Sequence, residues 1–148
     1  MSKHGLAPVA LYLLLAAPAL AQGSAVGNVV KSQKESFRVE TIATGLENPW
    51  ALAFLPDGRM LVTERPGRLR IVGKDGKLSE PVTNLPKIAA VGQGGLLDIV
   101  LAPDFSQSKI LYFTFAEPRG ANGAVNPNST SAASARLVED KGAAKLED

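Results

Sequence analysis

The sequence contains no cysteine. That excludes disulfides, thiolate metal sites and a cysteine nucleophile, so stability must come from a packed core. Histidine is almost as scarce: the only one is His4, near the N-terminus. Past that point no imidazole is available for general-base or metal work. Charge of one sign is also lacking, with 16 basic against 14 acidic side chains. Removing Lys3 with the leading segment leaves a net charge of only +1, which supports no electrostatic case for nucleic acid. No Gly-rich phosphate loop, metal-ligand spacing or nucleophile triad is present.

The N-terminus carries Lys3 and His4, then an apolar run from Leu6 to Leu20, then Ala19-Leu20-Ala21. This pattern predicts a secretory signal peptide over residues 1–21, cleaved near Ala21, and hence a periplasmic or secreted protein. The run holds Pro8 and Pro18 and falls short of the ~20 residues a spanning helix needs, so no stable membrane anchor is expected. Residues 22–36, rich in Gly, Ser, Asn and Lys, read as a flexible leader.

From Phe37 onward the pattern predicts an all-β fold. Short apolar runs, 37-FRVETIA-43, 50-WALAFL-55, 60-MLVTE-64, 68-RLRIV-72, 81-PVTNL-85, 97-LDIVLA-102, 109-KILYFTF-115 and 134-SARLVE-139, alternate with turn signals. The turns fall at Pro56-Asp57-Gly58, Pro66-Gly67 and Lys74-Asp75-Gly76. No helix of ordinary length is expected after residue 21.

The runs repeat. The segment 50-WALAFLPDGRMLVTE-64 answers to 97-LDIVLAPDFSQSKILYFTF-115, with Pro56-Asp57 matching Pro103-Asp104, and each unit continues to a third strand, 67-GRLRIVGKDGKL-78 or 135-ARLVEDKGAAKL-146. A period of ~40–50 residues with four short strands per unit is the signature of a β-propeller blade. Accidental similarity within a β-sandwich is the alternative. Closure of a propeller takes ~4–8 blades, and KGAAKLED is polar where a third strand should turn into a fourth. The expectation is therefore an N-terminal fragment whose residues 37–148 hold about the first two blades.

One stretch points to chemistry. In 91-VGQGGLLD-98 a single neutral amide, Gln93, stands among Gly92, Gly94 and Gly95 before an apolar strand. Glycines permit positive φ and close approach, so the stretch is either a tight polar turn or a surface against which a ligand lies.

Together, 48-NPWALAFLPDGRMLVTERPGRLRIV-72, 92-GQGGLLDIVLAPDF-105 and 110-ILYFTF-115 closely resemble the opening blades of the soluble glucose/sorbosone dehydrogenases, periplasmic aldose sugar dehydrogenases dependent on pyrroloquinoline quinone (PQQ). The resemblance covers about Phe37 to Asp148. It implies a six-bladed β-propeller in the full-length protein and oxidation of aldose sugars to lactones by hydride transfer to PQQ. Calcium is expected in the full-length family member. It places Gln93 where relatives touch the quinone, with Gly92 and Gly94 letting the backbone approach the cofactor. The family's histidine base and the basic residues that hold the cofactor's carboxylates would lie in later blades. No catalytic residue and no metal ligand is therefore assigned here, and the chain alone is expected to be inactive. The partner implied is a small sugar; the electron acceptor is not readable. A secreted binding propeller without redox chemistry and a metal-dependent lactonase-like propeller are the alternatives, separated by whether a histidine and channel-facing basic residues follow.

Other polar and aromatic positions have plainer explanations. Trp50 reads as core rather than a sugar platform; Glu64 and Arg65 either line the central channel or pair with each other on the surface, the surface or structural role being favoured. Asp57 and Asp104 read as turn residues bonding the backbone. Asp98 carries no assigned chemistry, and Asn128-Ser129-Thr130 reads as a polar loop that happens to match a glycosylation sequon.

Overall fold

The computed structural model describes residues 29–148; the expected signal peptide lies outside them. Residues up to Glu40 form a unit separate from Thr41–Asp148. Within the first, β1 (Val29–Lys31) and β2 (Ser36–Arg38) pair antiparallel as a short hairpin, which begins in the span 22–36 expected to be a flexible leader and ends in the run 37–43. The Ser32 hydroxyl closes its turn by accepting from the Glu35 amide at 3.0 Å.

The second unit holds two antiparallel sheets. Sheet one has the order β3 (Pro49–Phe54), β4 (Met60–Glu64), β5 (Arg68–Val72). Sheet two has the order β6 (Leu96–Leu101), β7 (Ile110–Pro118), β8 (Asn128–Asp140), β9 (Ala143–Glu147), with a single helical turn α1 (Phe105–Ser108) between β6 and β7. The repeat read from the sequence is thus the repeat of the structure: β3 corresponds to β6, β4 to β7 and β5 to β8.

Three expected boundaries are corrected. The run 37–43 is strand only to Arg38. Residues 81–85 form no strand, only an isolated bridge from Thr83 to Lys145. The polar tail, expected to stop short of a fourth strand, forms β9 along the outer side of β8.

Alternation decides which face is buried. Leu111, Phe113 and Phe115 on β7 are buried while Tyr112 between them is half exposed. They pack with Leu61, Leu69 and Ile71 of the facing sheet and with Leu96, Ile99, Leu137 and Leu146 into one core. Burying each such side chain stabilises by roughly 1.5–3 kcal/mol. The opposite face of β3 shows Trp50, Leu52 and Phe54 to solvent, so Trp50, expected in the core, is exposed here. In the repeat Leu52 corresponds to Ile99, which is buried against the neighbouring sheet; the same face of the first sheet has no described sheet against it.

Three further devices join the sheets. Thr63 is wholly buried, and its hydroxyl accepts from the Ala51 amide at 3.0 Å and donates to the Leu97 carbonyl at 2.7 Å. It fills the break in register where β3 bulges between Pro49 and Leu52. A matching bulge in β6, between Leu96 and Ile99, is filled by Thr114, whose hydroxyl accepts from the Asp98 amide at 3.0 Å. The link after β5 touches both sheets: Ser79 and Val82 donate to Ile71 and Leu69, then Thr83 donates to Ala144 and accepts from Leu146. At the rim bearing the β3–β4 turn, Arg59 reaches across to Glu139 in a two-toothed ion pair at 2.9 and 3.0 Å.

Candidate functional site

The rim where β3 and β6 begin carries the segment singled out above. Val91 to Gly94 is a tight turn, closed by the Gly94 amide donating to the Val91 carbonyl at 2.8 Å. Gly92 takes the first central position with φ of 56°, a value that side chains rarely adopt and that suits glycine. A Cβ added there would meet nothing within 4 Å.

The other two glycines answer a different demand. A Cβ on Gly94 would stand 2.6 Å from the Ala89 carbonyl oxygen and 2.9 Å from Ala116 Cβ, and one on Gly95 would collide with the Arg65 carbonyl. Backbone passes so closely at these points that no side chain fits. Gly92 therefore faces open space, whereas Gly94 and Gly95 face inward. Between them Gln93 is exposed, and its amide makes no hydrogen bond among the described residues.

Arg65 holds this turn. Its Nη1 donates to the Gly92 carbonyl at 2.9 Å and to the Gly94 carbonyl at 3.2 Å, on either side of Gln93. Its own backbone is anchored at both ends, the amide donating to Asn48 at 3.0 Å and the carbonyl accepting from Leu96 at 3.1 Å. No carboxylate pairs with it among the described residues. Lys87, on the same rim, donates to the Gly123 carbonyl and likewise has no carboxylate partner there.

Glu64 and Arg65, expected as a pair, do not meet. Glu64 ends β4 and is wholly buried, whereas Arg65 lies in the turn beyond it. It accepts from the Glu47 amide and from Arg68 Nε at 2.7 Å, with Arg70 Nη1 at 3.8 Å, while Arg68 also reaches Glu47 at 2.8 Å. Burial raises the carboxyl's pKa, but the Arg68 and Glu47 hydrogen bonds outweigh it and hold the group below the ordinary glutamate value. The bond to Glu64, and a second to the Glu47 carboxylate, raise Arg68 further above its usual range. This is a structural ion cluster, fully partnered.

Of the remaining positions, Asp57 accepts from the Arg59 amide at 3.0 Å, as a turn aspartate should. Asp104 instead accepts from the Ser108 hydroxyl at 3.0 Å and makes no side-chain cap to α1. Asp98 is exposed, bonded to its neighbour Ile99. Asn128, Ser129 and Thr130, expected as a loop, open β8.

A family model described as "Glucose / Sorbosone dehydrogenase" matches residues 46–148. The chain belongs to the glucose/sorbosone dehydrogenase family. Among relatives, the aldose sugar dehydrogenase YliI of Escherichia coli (strain K12) is 50% identical over 80 residues, 53% of this chain and 22% of that protein. Quinoprotein glucose dehydrogenase B of Acinetobacter calcoaceticus is 33% identical over 142 residues, 88% of this chain and 29% of that protein. The chain thus spans less than a third of these curated relatives. Among solved structures, the soluble aldose sugar dehydrogenase of Escherichia coli in its apo-form superimposes with a TM-score of 0.64 at 43% identity, covering 74% of this chain and 30% of that one. The PQQ-bound aldose sugar dehydrogenase of Streptomyces coelicolor gives 0.53 at 28% identity, covering 73% and 32%. The two sheets are accordingly two blades of a glucose/sorbosone dehydrogenase propeller.

The rim's chemistry suits an anionic ligand. Gln93 offers two donors and an acceptor that no described residue engages, Gly92 leaves open space, and Arg65 adds a positive charge that no carboxylate among the described residues neutralises. Nothing among the described residues supplies a histidine base.

Proposed function

We propose that the protein is a quinoprotein oxidoreductase that oxidises aldose sugars to lactones, working in the periplasm or outside the cell after cleavage near Ala21. PQQ would lie against the Gly92-Gln93-Gly94 turn on a six-bladed propeller. Gln93 would hydrogen-bond an anionic or quinone oxygen of the cofactor, and Gly92 would let the main chain come close; Gly94, expected to do the same, instead makes room for the Ala89 carbonyl and Ala116. Bound there, PQQ supplies a two-electron acceptor for the hydride of the sugar's anomeric carbon. The hydroxyl proton would go to a base outside the described residues; no group of three His, Cys, Asp or Glu side chains stands together among them, so no calcium ligands are assigned here.

The observation that carries this reading is an unbonded, solvent-facing amide on a tight turn within a glucose/sorbosone dehydrogenase match. A neutral amide is favoured over a carboxylate because the ligand is itself anionic. The test is to express the whole reading frame with its leader, recover it from the periplasm and assay dye reduction with aldoses before and after adding PQQ. PQQ-dependent reduction with lactone formation is expected. Absence of any PQQ-dependent oxidation of aldoses overturns the proposal.

A further inference from the structure

Gly92, which opens the turn to a ligand, also deprives it of rigidity. Gly92 has nothing packed against it, and a single backbone hydrogen bond closes the turn. Glycine carries more conformational freedom than any other residue. A side chain on such a turn can present an amide to a ligand in a fixed direction only if the peptide groups beside it are held. The groups at Gly92 and Gly94 are held, and by the same atom, Arg65 Nη1.

We infer that Arg65 is the positioning residue for Gln93. The inference rests on the proposal that Gln93 meets PQQ. Arg65 comes from the neighbouring blade, at the turn after β4, and its backbone is pinned to Asn48 on one side and Leu96 on the other. The guanidinium therefore starts from a fixed point and fixes the carbonyls that flank Gln93. Nη1 carries two N–H bonds, enough to give one to each carbonyl, while the described residues give Nε and Nη2 no acceptor. The cofactor contact on one blade is thus oriented from the blade beside it.

The experiment compares Arg65→Met, Arg65→Lys, Gln93→Ala and the Arg65→Met/Gln93→Ala double variant in the whole apoprotein. PQQ is titrated in and followed by quenching of tryptophan fluorescence. Amide hydrogen exchange at residues 92–95 is measured without cofactor. If Arg65 acts through Gln93, Arg65→Met weakens PQQ binding about three- to tenfold. It also speeds exchange at the turn, and it adds nothing in the Gln93→Ala background. Arg65→Lys, which keeps a donor and the charge, should recover part of the loss, and it serves as the test if Arg65→Met does not fold. Equal losses in both backgrounds would overturn the inference, as would unchanged affinity in Arg65→Met while Gln93→Ala is weakened. Unchanged affinity in Gln93→Ala would instead overturn the cofactor role of Gln93, and this inference with it.

Discussion

The Thr63 hydroxyl donates to the Leu97 carbonyl at 2.7 Å while accepting from the Ala51 amide at 3.0 Å, so one buried oxygen serves three strands of two blades. Thr63→Val keeps the shape and removes the bonding. It leaves a buried N–H and a buried C=O without partners, and a loss of about 1–3 kcal/mol is expected. Thr63→Ser keeps the bonds and loses only a methyl group, so it should cost less. Denaturant midpoints of the two variants check the order; a Thr63→Val protein as stable as Thr63→Ser removes the argument.

Glu64 makes stability depend on acid. Its folded pKa is below the ordinary glutamate value, so as pH falls the unfolded chain takes up the proton first. The contribution is complete above the ordinary glutamate pKa and is lost as pH falls through the folded one. Glu64→Gln should therefore flatten the decline of stability in the acid range. Near neutrality, removing one partner of a buried ion pair costs ~3–5 kcal/mol, and the low end applies here because Arg68 is a third exposed. Melts from neutral to strongly acid pH would show the two curves converging.

The glycines of the turn should not be equivalent. Gly92→Ala strains only its own backbone, at φ of 56° with open space around it, and a cost of about 1–2 kcal/mol is expected. Gly95→Ala drives a methyl group into the Arg65 carbonyl, which itself accepts from Leu96, so both the overlap and that hydrogen bond are at stake. Its destabilisation should exceed that of Gly92→Ala. Chemical unfolding of both variants decides the order.

The sequence made legible what short-range chemistry dictates. Asp-Gly and Pro-Gly turns punctuate the strands, and the paired Pro-Asp motifs mark the two blades. Gln93 stands out because a lone amide among glycines is unusual anywhere. What stayed hidden was settled by distant partners. The stretch Asn128 to Ala132 is poor in strand-forming residues, yet it is strand because β7 runs beside all of it, as context often overrides propensity. Residues 39–43 look like strand but find no neighbouring strand. Glu64 in TERPGR looks like surface charge; its burial depends on the Glu47 amide, 17 residues earlier, as well as on Arg68. Arg65 stood out only as a charge that could line the channel or pair with Glu64; its bonds to the Gly92 and Gly94 carbonyls leave no trace in residue type.

The link through Thr83 sets a timetable for synthesis. Thr83 bonds to Ala144, and the two lie 61 residues apart in the chain. At ~5–20 residues per second, the ribosome delivers the second partner about 3–12 s after the first. Throughout that interval the first blade carries a backbone donor and acceptor with no strand to receive them. The first blade thus cannot be finished on its own, and it reaches its native form only when the outermost strand of its neighbour has been made.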